Sequence, residues 1–295
     1  MSFFSMVSNL FRKTLTCISP DLNIRFVYRI KKKKRLNTED PQSFSEKLVY
    51  VRLTNYNHNP LVKQLADKYA VRDYVKKKGY EELLNELYAV FDAPKQIDFE
   101  KLPSQFALKL NVGCGCNYIC MDKSKINATE IAEITRKWMK KKPWLSYAEM
   151  QYKGVEKKIL LEKYLEGHNG TVPEDYKVYC FHGKPLAILY MSGRFTEQTR
   201  VGFFDSDWNY LGMKENSRLD FVTFDKSHLP PRPESLSMMV SAAKTLSGTF
   251  PFVRIDFYDV DGRAIFGEMT FSPAGGYDAA EVDINGKSMA EYLNV

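Results

Sequence analysis

Two apolar runs near the end of the sequence carry charges that a protein core does not accept uncompensated. The first is Val253-Arg254-Ile255-Asp256-Phe257-Tyr258 and the second Ile265-Phe266-Gly267-Glu268-Met269-Thr270-Phe271, with the turn signal Asp261-Gly262 between them. A carboxylate buried without a partner is strongly destabilising, so Asp256 and Glu268 on neighbouring strands call for a counterion. Hard oxygen ligands close to a phosphate suit Mg²⁺. The period of two along a strand places Arg254, Asp256 and Tyr258 on one face, and Glu268 and Thr270 on one face of the next strand. A two-residue turn pairs Val260 with Arg263, sets Asp256 against Gly267, and sends Glu268 to the far side. An odd loop, or a bulge, pairs Asp256 with Glu268 instead. The metal reading therefore demands one of these two irregularities.

Other charges fall where a polyphosphate could use them. Lys109 lies within the apolar run Phe106-Ala107-Leu108-Lys109-Leu110, one residue before the loop Asn111-Val112-Gly113-Cys114-Gly115-Cys116-Asn117. The glycines let backbone N–H groups approach phosphate oxygens. The loop is not a Walker A motif, because the Gly-Lys-Ser/Thr ending is absent. Lys68 and Arg72 are four residues apart and share a face if helical. Glu162-Lys163-Tyr164-Leu165 ends an apolar strand, and a strand end offers the backbone carbonyl and N–H groups that an adenine ring needs. Asp175 and Lys177 share a face at the start of the next hairpin. Arg194 follows its close, within reach of a phosphate.

These residues need elements to position them. Ser43-x-x-Glu46 is a capping box, opening a helix with Phe44, Leu48 and Val51 at helical spacing. Residues 61–78 read as one helix stopped by Gly79, and residues 81–89 as a short amphipathic helix. Strands are expected at 106–110, 118–121 and 158–165, and a helix at 128–141. A hairpin is expected around His182-Gly183, and a helix at 235–246 before the closing hairpin. The order is helices, then mixed elements, then antiparallel strands, which is α+β rather than doubly wound.

The protein has 295 residues, 44% hydrophobic and 27% charged, enough for two intimate lobes. No apolar run is long enough to span a bilayer. The segment from Met1 to Pro20 has no clean signal peptide, and an odd number of cysteines, five, suits a reducing, cytoplasmic setting. Cys114, Cys116 and Cys120 lack a fourth ligand at zinc spacing. The net charge of +7 gathers in lysine blocks at 31–34, 76–78 and 140–142, which are solvated faces or meet an anionic polymer or surface. No nucleic-acid-binding signature appears. Phe3, Phe4, Val7, Leu10 and Phe11 beside Arg12 and Lys13 form an amphipathic helix that either packs on its own domain or touches the inner membrane surface. His58, His168, His182 and His228 have no Gly-x-Ser-x-Gly partner for nucleophilic catalysis.

In order and spacing, several pieces resemble the TupA-like ATP-grasp family of bacterial surface-polysaccharide biosynthesis. They are Pro41-x-x-Phe44-x-Glu46-Lys47-Leu48, Asp67-Lys68-x-x-x-Arg72-x-Tyr74, Leu102-Pro103-x-x-Phe106-x-x-Lys109, Asp175-Tyr176-Lys177, Arg254-x-Asp256-x-Tyr258 and Gly267-Glu268-x-Thr270-Phe271-x-Pro273-x-Gly275. The resemblance implies an ATP-grasp fold, with two α+β lobes sandwiching ATP. Residues 1–95 would form a helical N-terminal region, 96–165 the N-lobe with the glycine loop, and 166–295 the C-lobe with the metal site. Lys68 and Lys109 would bind phosphates under the loop carrying Asn111, Gly113 and Gly115. Glu162, Lys163 and Leu165 would form the adenine hinge, with Asp175 also at the nucleotide. Asp256, Glu268 and Thr270 would hold Mg²⁺, Thr270 standing where many ATP-grasp enzymes have Asn. Lys177, Arg194 and Arg254 would neutralise the transferred phosphoryl group. The implied reaction joins a carboxylate, such as that of a uronic-acid saccharide, to an amine through an acyl-phosphate. The rivals are a glycosyltransferase using Asp205-Ser206-Asp207, a sugar kinase on the same ATP site, and a non-catalytic binding module.

Overall fold

Ser43 caps its helix as the motif requires: its hydroxyl accepts from the Glu46 N–H, and the Glu46 carboxylate accepts from the Ser43 N–H. This is one of five helices at the N-terminal end of the computed structural model. They are α1 (Phe3–Ile18), α2 (Pro20–Lys32), α3 (Phe44–Val51), α4 (Pro60–Leu65) and α5 (Val71–Lys77), with α3 running on into a π-type turn over Arg52–Tyr56. The structure describes residues 3–167, 172–194, 196–214 and 222–295, the side chains of 3–8 excepted; His168 thus lies outside the described residues.

Two expected helices are corrected. Residues 61–78 are not one helix but two, parted at Asp67, whose Oδ1 accepts from the N–H groups of Tyr69 (2.8 Å) and Ala70 (3.3 Å). An aspartate that bonds its own downstream backbone competes with the helix. The break swings Lys68 away from the helix surface. Residues 81–89 hold a 3₁₀ turn at Glu81–Leu83 and the start of strand β1 (Leu87–Phe91). There, sheet pairing with a distant strand wins over the local helical spacing.

The smaller sheet is antiparallel, in the order β1-β4-β2-β3, with β2 (Phe106–Leu110), β3 (Asn117–Cys120) and β4 (Ile159–Lys163). Helix α6 (Ala128–Lys140) buries Ile131 and Trp138 against it, and a short helix α7 (Trp144–Tyr147) follows. The larger sheet holds β5 (Asp175–Phe181), β6 (Lys184–Ser192), β7 (Arg200–Phe204), β8 (Tyr210–Gly212), β9 (Val222–Thr223), β10 (Phe252–Val260) and β11 (Arg263–Thr270). Its order is β11-β10-β5-β6-β7-β8, with β9 parallel to β7. Helix α8 (Leu236–Ser247) covers it with Leu236, Met239, Ala242, Ala243 and Leu246, all fully buried. The apolar faces of both sheets are therefore committed to cores, and the charged residues of β2, β4, β5, β10 and β11 gather between the lobes.

The closing hairpin resolves its own register question. The turn is even, with Val260 opposite Arg263, yet the ladder slips after Asp256, so that Phe257 faces Phe266 and Asp256 faces Glu268. Gly267 is the extra residue. Of the two irregularities that could bring the carboxylates to one face, the protein uses the bulge. A Cβ on Gly267 would lie 3.1 Å from the Asp256 carbonyl oxygen, so glycine there lets the bulge close tightly.

Candidate active site

Because β5, β10 and β11 are neighbours, the register lines up charges in rows. Lys177, Asp256 and Glu268 stand opposite one another across the three strands; Tyr179, Arg254 and Thr270 form the next row, and Asp175 stands opposite Tyr258. Within these rows the charges alternate. Arg194 Nη1 donates to Asp175 (2.8 Å), and Lys177 Nζ bridges Asp175 (2.9 Å) and Asp256 (3.0 Å). Arg254 grips Asp256 with Nε at 2.6 Å and Nη2 at 2.7 Å, and lies 3.6 Å from Glu268. Glu268 ends on Lys68 at 3.0 Å, and Lys68 also donates to the Gly113 carbonyl at 2.8 Å. Thr270 accepts from Arg254 and donates to Glu268. Four cations alternate with three carboxylates in this series, leaving one positive charge in excess.

A second group sits on the smaller sheet. Lys109 Nζ donates to Glu162 at 2.7 Å, and Arg72 reaches Glu162 at 4.0 Å while donating to the Asn85 carbonyl. One carboxylate against two cations again leaves a positive excess. All seven charges of the first group, and Lys109 and Glu162 of the second, line one cavity of about 280 Å³ between the lobes, along with Gly113, Cys114, Gly115 and Tyr258; Thr270 and Arg72 lie outside that lining. An anion entering it meets cations already held in place, which is the arrangement that stabilises phosphate charge without reorganisation.

The burial of the cluster shows in its proton affinities. Burial pushes the Glu268 carboxyl up, but Lys68, Arg254 and Lys177 more than offset this and hold it well below the usual carboxylate range. Burial lowers the Lys177 ammonium, yet Asp256 and Asp175 outweigh it and the group titrates above an ordinary lysine. Both are charged at neutral pH.

Of the expected hinge residues, Lys163 and Leu165 line a smaller slot of about 70 Å³ that shares Lys109, Asn117, Arg194 and Tyr258 with the main cavity, whereas Glu162 lines the main cavity as the partner of Lys109. Ala107, Ile119, Leu165 and Pro173 give it the flat apolar walls a purine needs. The Lys163 backbone is already engaged, its N–H with Glu86 and its carbonyl with the Asn85 side chain. Tyr164 and Leu165 have no backbone hydrogen bond among the described residues, so the unengaged backbone groups of this segment are theirs rather than those of Lys163.

Asn111 takes a different place from the one expected. It is fully buried and lies outside the cavity lining; its Nδ2 donates to Asp67 and the Glu156 carbonyl, and its Oδ1 accepts from the Lys158 N–H. The Lys68 N–H in turn donates to the Asn111 carbonyl. Asn111 thus braces the turn that aims Lys68. Asn85 and Arg72, which shape the hinge side, carried weak or no sequence signals: Arg72 only its spacing from Lys68, and Asn85 none.

Asp205 caps a turn by accepting from the N–H groups of Asp207 (2.9 Å) and Asn209 (2.8 Å), and neither carboxylate lines the cavity. That removes the sugar-nucleotide reading of Asp205-Ser206-Asp207. Cys114, Cys116 and Cys120 gain no metal partners: among the described residues, no three His, Cys, Asp or Glu side chains could jointly enclose an ion. The paired carboxylates Asp256 and Glu268, with the Thr270 hydroxyl, are a hard-oxygen set of the size that holds Mg²⁺ jointly with a nucleotide's phosphates rather than alone.

A model of the TupA-like ATPgrasp family matches residues 46–289. The chain belongs to the TupA-like ATP-grasp family. Its two lobes, with the charged cleft between them, are therefore the ATP-grasp fold. No curated protein matches the sequence. Among solved structures, D-alanine–D-alanine ligase from Bacillus anthracis complexed with ATP is similar at 15% identity and a TM-score of 0.40, over 70% of this chain and 54% of that one. The Helicobacter pylori D-alanine–D-alanine ligase is 13% identical, with a TM-score of 0.42 over 73% and 56%. The ATP-grasp ligase PsnB complexed with a minimal precursor is 14% identical, with a TM-score of 0.44 over 84% and 66%. These likenesses are remote, and the chain spans a little over half the length of the first two.

Proposed function

We propose that this ATP-grasp protein is a ligase that joins a carboxylate to an amine, driven by ATP and leaving ADP and phosphate. The observation that carries the reading is a shared wall. Lys177 and Arg254 line the main cavity and also a second one of about 160 Å³, whose other walls include Leu189, Met191, Val201, Met213 and Asp278, the last already paired with Lys31 and Lys32. Two cations thus stand between a polyphosphate-sized cavity and a slot with an aliphatic lining. A carboxylate in the slot would meet the same two cations as the γ-phosphate, which supports transfer between them.

The steps follow from these positions. The hinge at Tyr164 and Leu165 holds the adenine edge, and Lys68 and Lys109 hold the phosphates under the Gly113–Gly115 loop. As phosphate oxygens enter, Lys177 and Arg254 exchange carboxylate partners for them. A carboxylate oxygen attacks the γ-phosphorus, the bond to ADP breaks, and an acyl-phosphate forms. An amine nitrogen then adds to the acyl carbon, phosphate leaves with the bonding electrons, and the nitrogen loses a proton. Such a transfer needs positioning and charge neutralisation more than acid–base groups, and the cavity supplies cations without a histidine. Mg²⁺, held by Asp256, Glu268 and Thr270, would screen the phosphate charge. The acceptor would be an anionic saccharide of the uronic-acid type and the amine an amino acid; what supports this finer part is the family resemblance and the net charge of +7.

Hydroxylamine trapping tests the reaction. With ATP, Mg²⁺ and a panel of uronic-acid saccharides, hydroxylamine in place of the amine should give a hydroxamate in step with ADP. Glu268→Gln should abolish both. A stable phosphate ester with no hydroxamate would mean that the protein is a kinase instead.

A further inference from the structure

Helix α1 packs the wrong way round for an ordinary amphipathic helix. Its inward face is polar. Asn9 accepts from the Ser146 hydroxyl (3.1 Å), Thr16 donates to the Leu145 carbonyl (2.6 Å) and accepts from Asn23 (2.6 Å), and the Arg12 guanidinium lies over the Tyr147 ring. Over residues 9–18 its outward face carries three large apolar side chains, with Thr14 and Cys17 exposed among them. Leu10 is 65% exposed, Phe11 51% and Ile18 73%, at the i, i+1 and i+8 positions of one stripe. Helix α2 continues the surface with Leu22 at 52% and Ile30 at 54%, and Phe11 meets Phe26 edge to face across the two helices. Five of the large exposed apolar side chains among the described residues therefore lie between residues 10 and 30.

Cations frame this stripe. Lys13 stands beside Leu10 on α1 and shares a groove with Lys140, Lys141 and Lys142 at the end of α6. Arg25 and Arg29 are exposed on the same side of α2 as Leu22 and Ile30. Among the described residues, none of Lys13, Arg25, Arg29 and Lys140–Lys142 makes an ion pair. Against them stands one exposed acid on α2, Asp21.

We infer that α1 and α2 lie on an anionic lipid surface, with the apolar stripe entering the headgroup boundary and the cations meeting lipid phosphates. Both halves of the surface enter the choice of occupant. An acidic saccharide would satisfy the cations but leave Leu10, Phe11 and Ile18 in water. A second copy of this chain would cover the apolar stripe but oppose like-charged rims. A bilayer with anionic headgroups complements both. The inference is independent of the ligase reading, because none of these residues lines the nucleotide cavity.

The test is co-sedimentation of the full-length protein with vesicles of phosphatidylglycerol and phosphatidylcholine in equal parts, and with phosphatidylcholine alone. Binding at least tenfold tighter to the mixed vesicles is expected. Leu10→Ser with Ile18→Ser should weaken it tenfold or more at an unchanged melting temperature. Those two side chains are the most exposed of the stripe, and Phe11 with its Phe26 contact is left intact. Lys140→Glu with Lys142→Glu should weaken it and reduce its salt dependence. Three results overturn the inference: no vesicle association; association that ignores the serine substitutions and vanishes with salt, which makes the surface a polyanion site; or a dimer in solution that the serine substitutions dissociate.

Discussion

Asp256 is the residue whose replacement separates two accounts of the site. If its sole duty were to hold a metal, it would be an electrostatic liability in the metal-free protein, and removing its charge would raise stability. The structure gives it a second duty. It is 4% exposed, takes both arms of Arg254 and accepts from Lys177. In Asp256→Asn the shape is kept, but a buried arginine and a buried lysine lose their shared anion and face each other. Removing one partner of a buried pair costs roughly 3–5 kcal/mol. At about 2 °C per kcal/mol for a protein of this size, the melting temperature should fall by roughly 6–10 °C. The assay is thermal unfolding without nucleotide, then with ATP in the absence of Mg²⁺. Phosphate oxygens can replace the lost carboxylate as partners of Arg254 and Lys177, so ATP should stabilise the variant by more degrees than the wild type. An unchanged or higher melting temperature in Asp256→Asn, or an equal response to ATP, refutes the alternating-charge account.

Three further outcomes follow from the geometry. The Glu46 carboxyl is brought to about 2, because Ser43, Lys34 and Gln42 outweigh its burial; a depressed carboxylate gives its stabilisation in full above its ordinary value and loses it as pH falls towards the folded one. Stability should thus drop by on the order of 3 kcal/mol between roughly pH 5 and pH 2, and in Glu46→Gln urea titrations across that range should lose this slope. Gly113 has φ of +75°, and an added Cβ would sit 2.9 Å from Pro143 Cβ, so Gly113→Ala should cost about 1–2 kcal/mol. It also displaces the carbonyl that Lys68 donates to, and should raise the KM for ATP more than it lowers kcat. Cys114 is exposed to solvent at the cavity wall, and the partial shelter of the cavity, then Glu149 and Glu268, raise its thiol, so it should react slowly with a thiol reagent at pH 8, faster at higher pH, and be protected by ATP. Labelling of Cys114 at the same rate with and without ATP would place the nucleotide elsewhere.

What was legible in the sequence and what was not divides along the range of the interaction. Asp256 and Glu268 announced themselves because a carboxylate in an apolar strand is costly wherever the strand goes, and counting residues from Asp261-Gly262 showed that the hairpin had to be irregular. Which irregularity was not legible: an odd loop and a bulge at Gly267 satisfy the same pattern, and the choice falls to the fit of Gly267 against the Asp256 carbonyl. Strand β1 is not legible locally, because its partner β4 lies some seventy residues on and nothing nearby outweighs helical spacing at Glu81–Ala89. The type of Lys68 marks it in the sequence, but what aims it is not legible there, since the turn that Asp67 makes with its own backbone is braced by Asn111, far along the sequence. The same holds for α1. Its spacing showed two faces, and hydrophobicity alone would bury the apolar one. Hydrogen bonds from Ser146 and Asn23 and to the Leu145 carbonyl claim the polar face instead, and leave Leu10, Phe11 and Ile18 exposed.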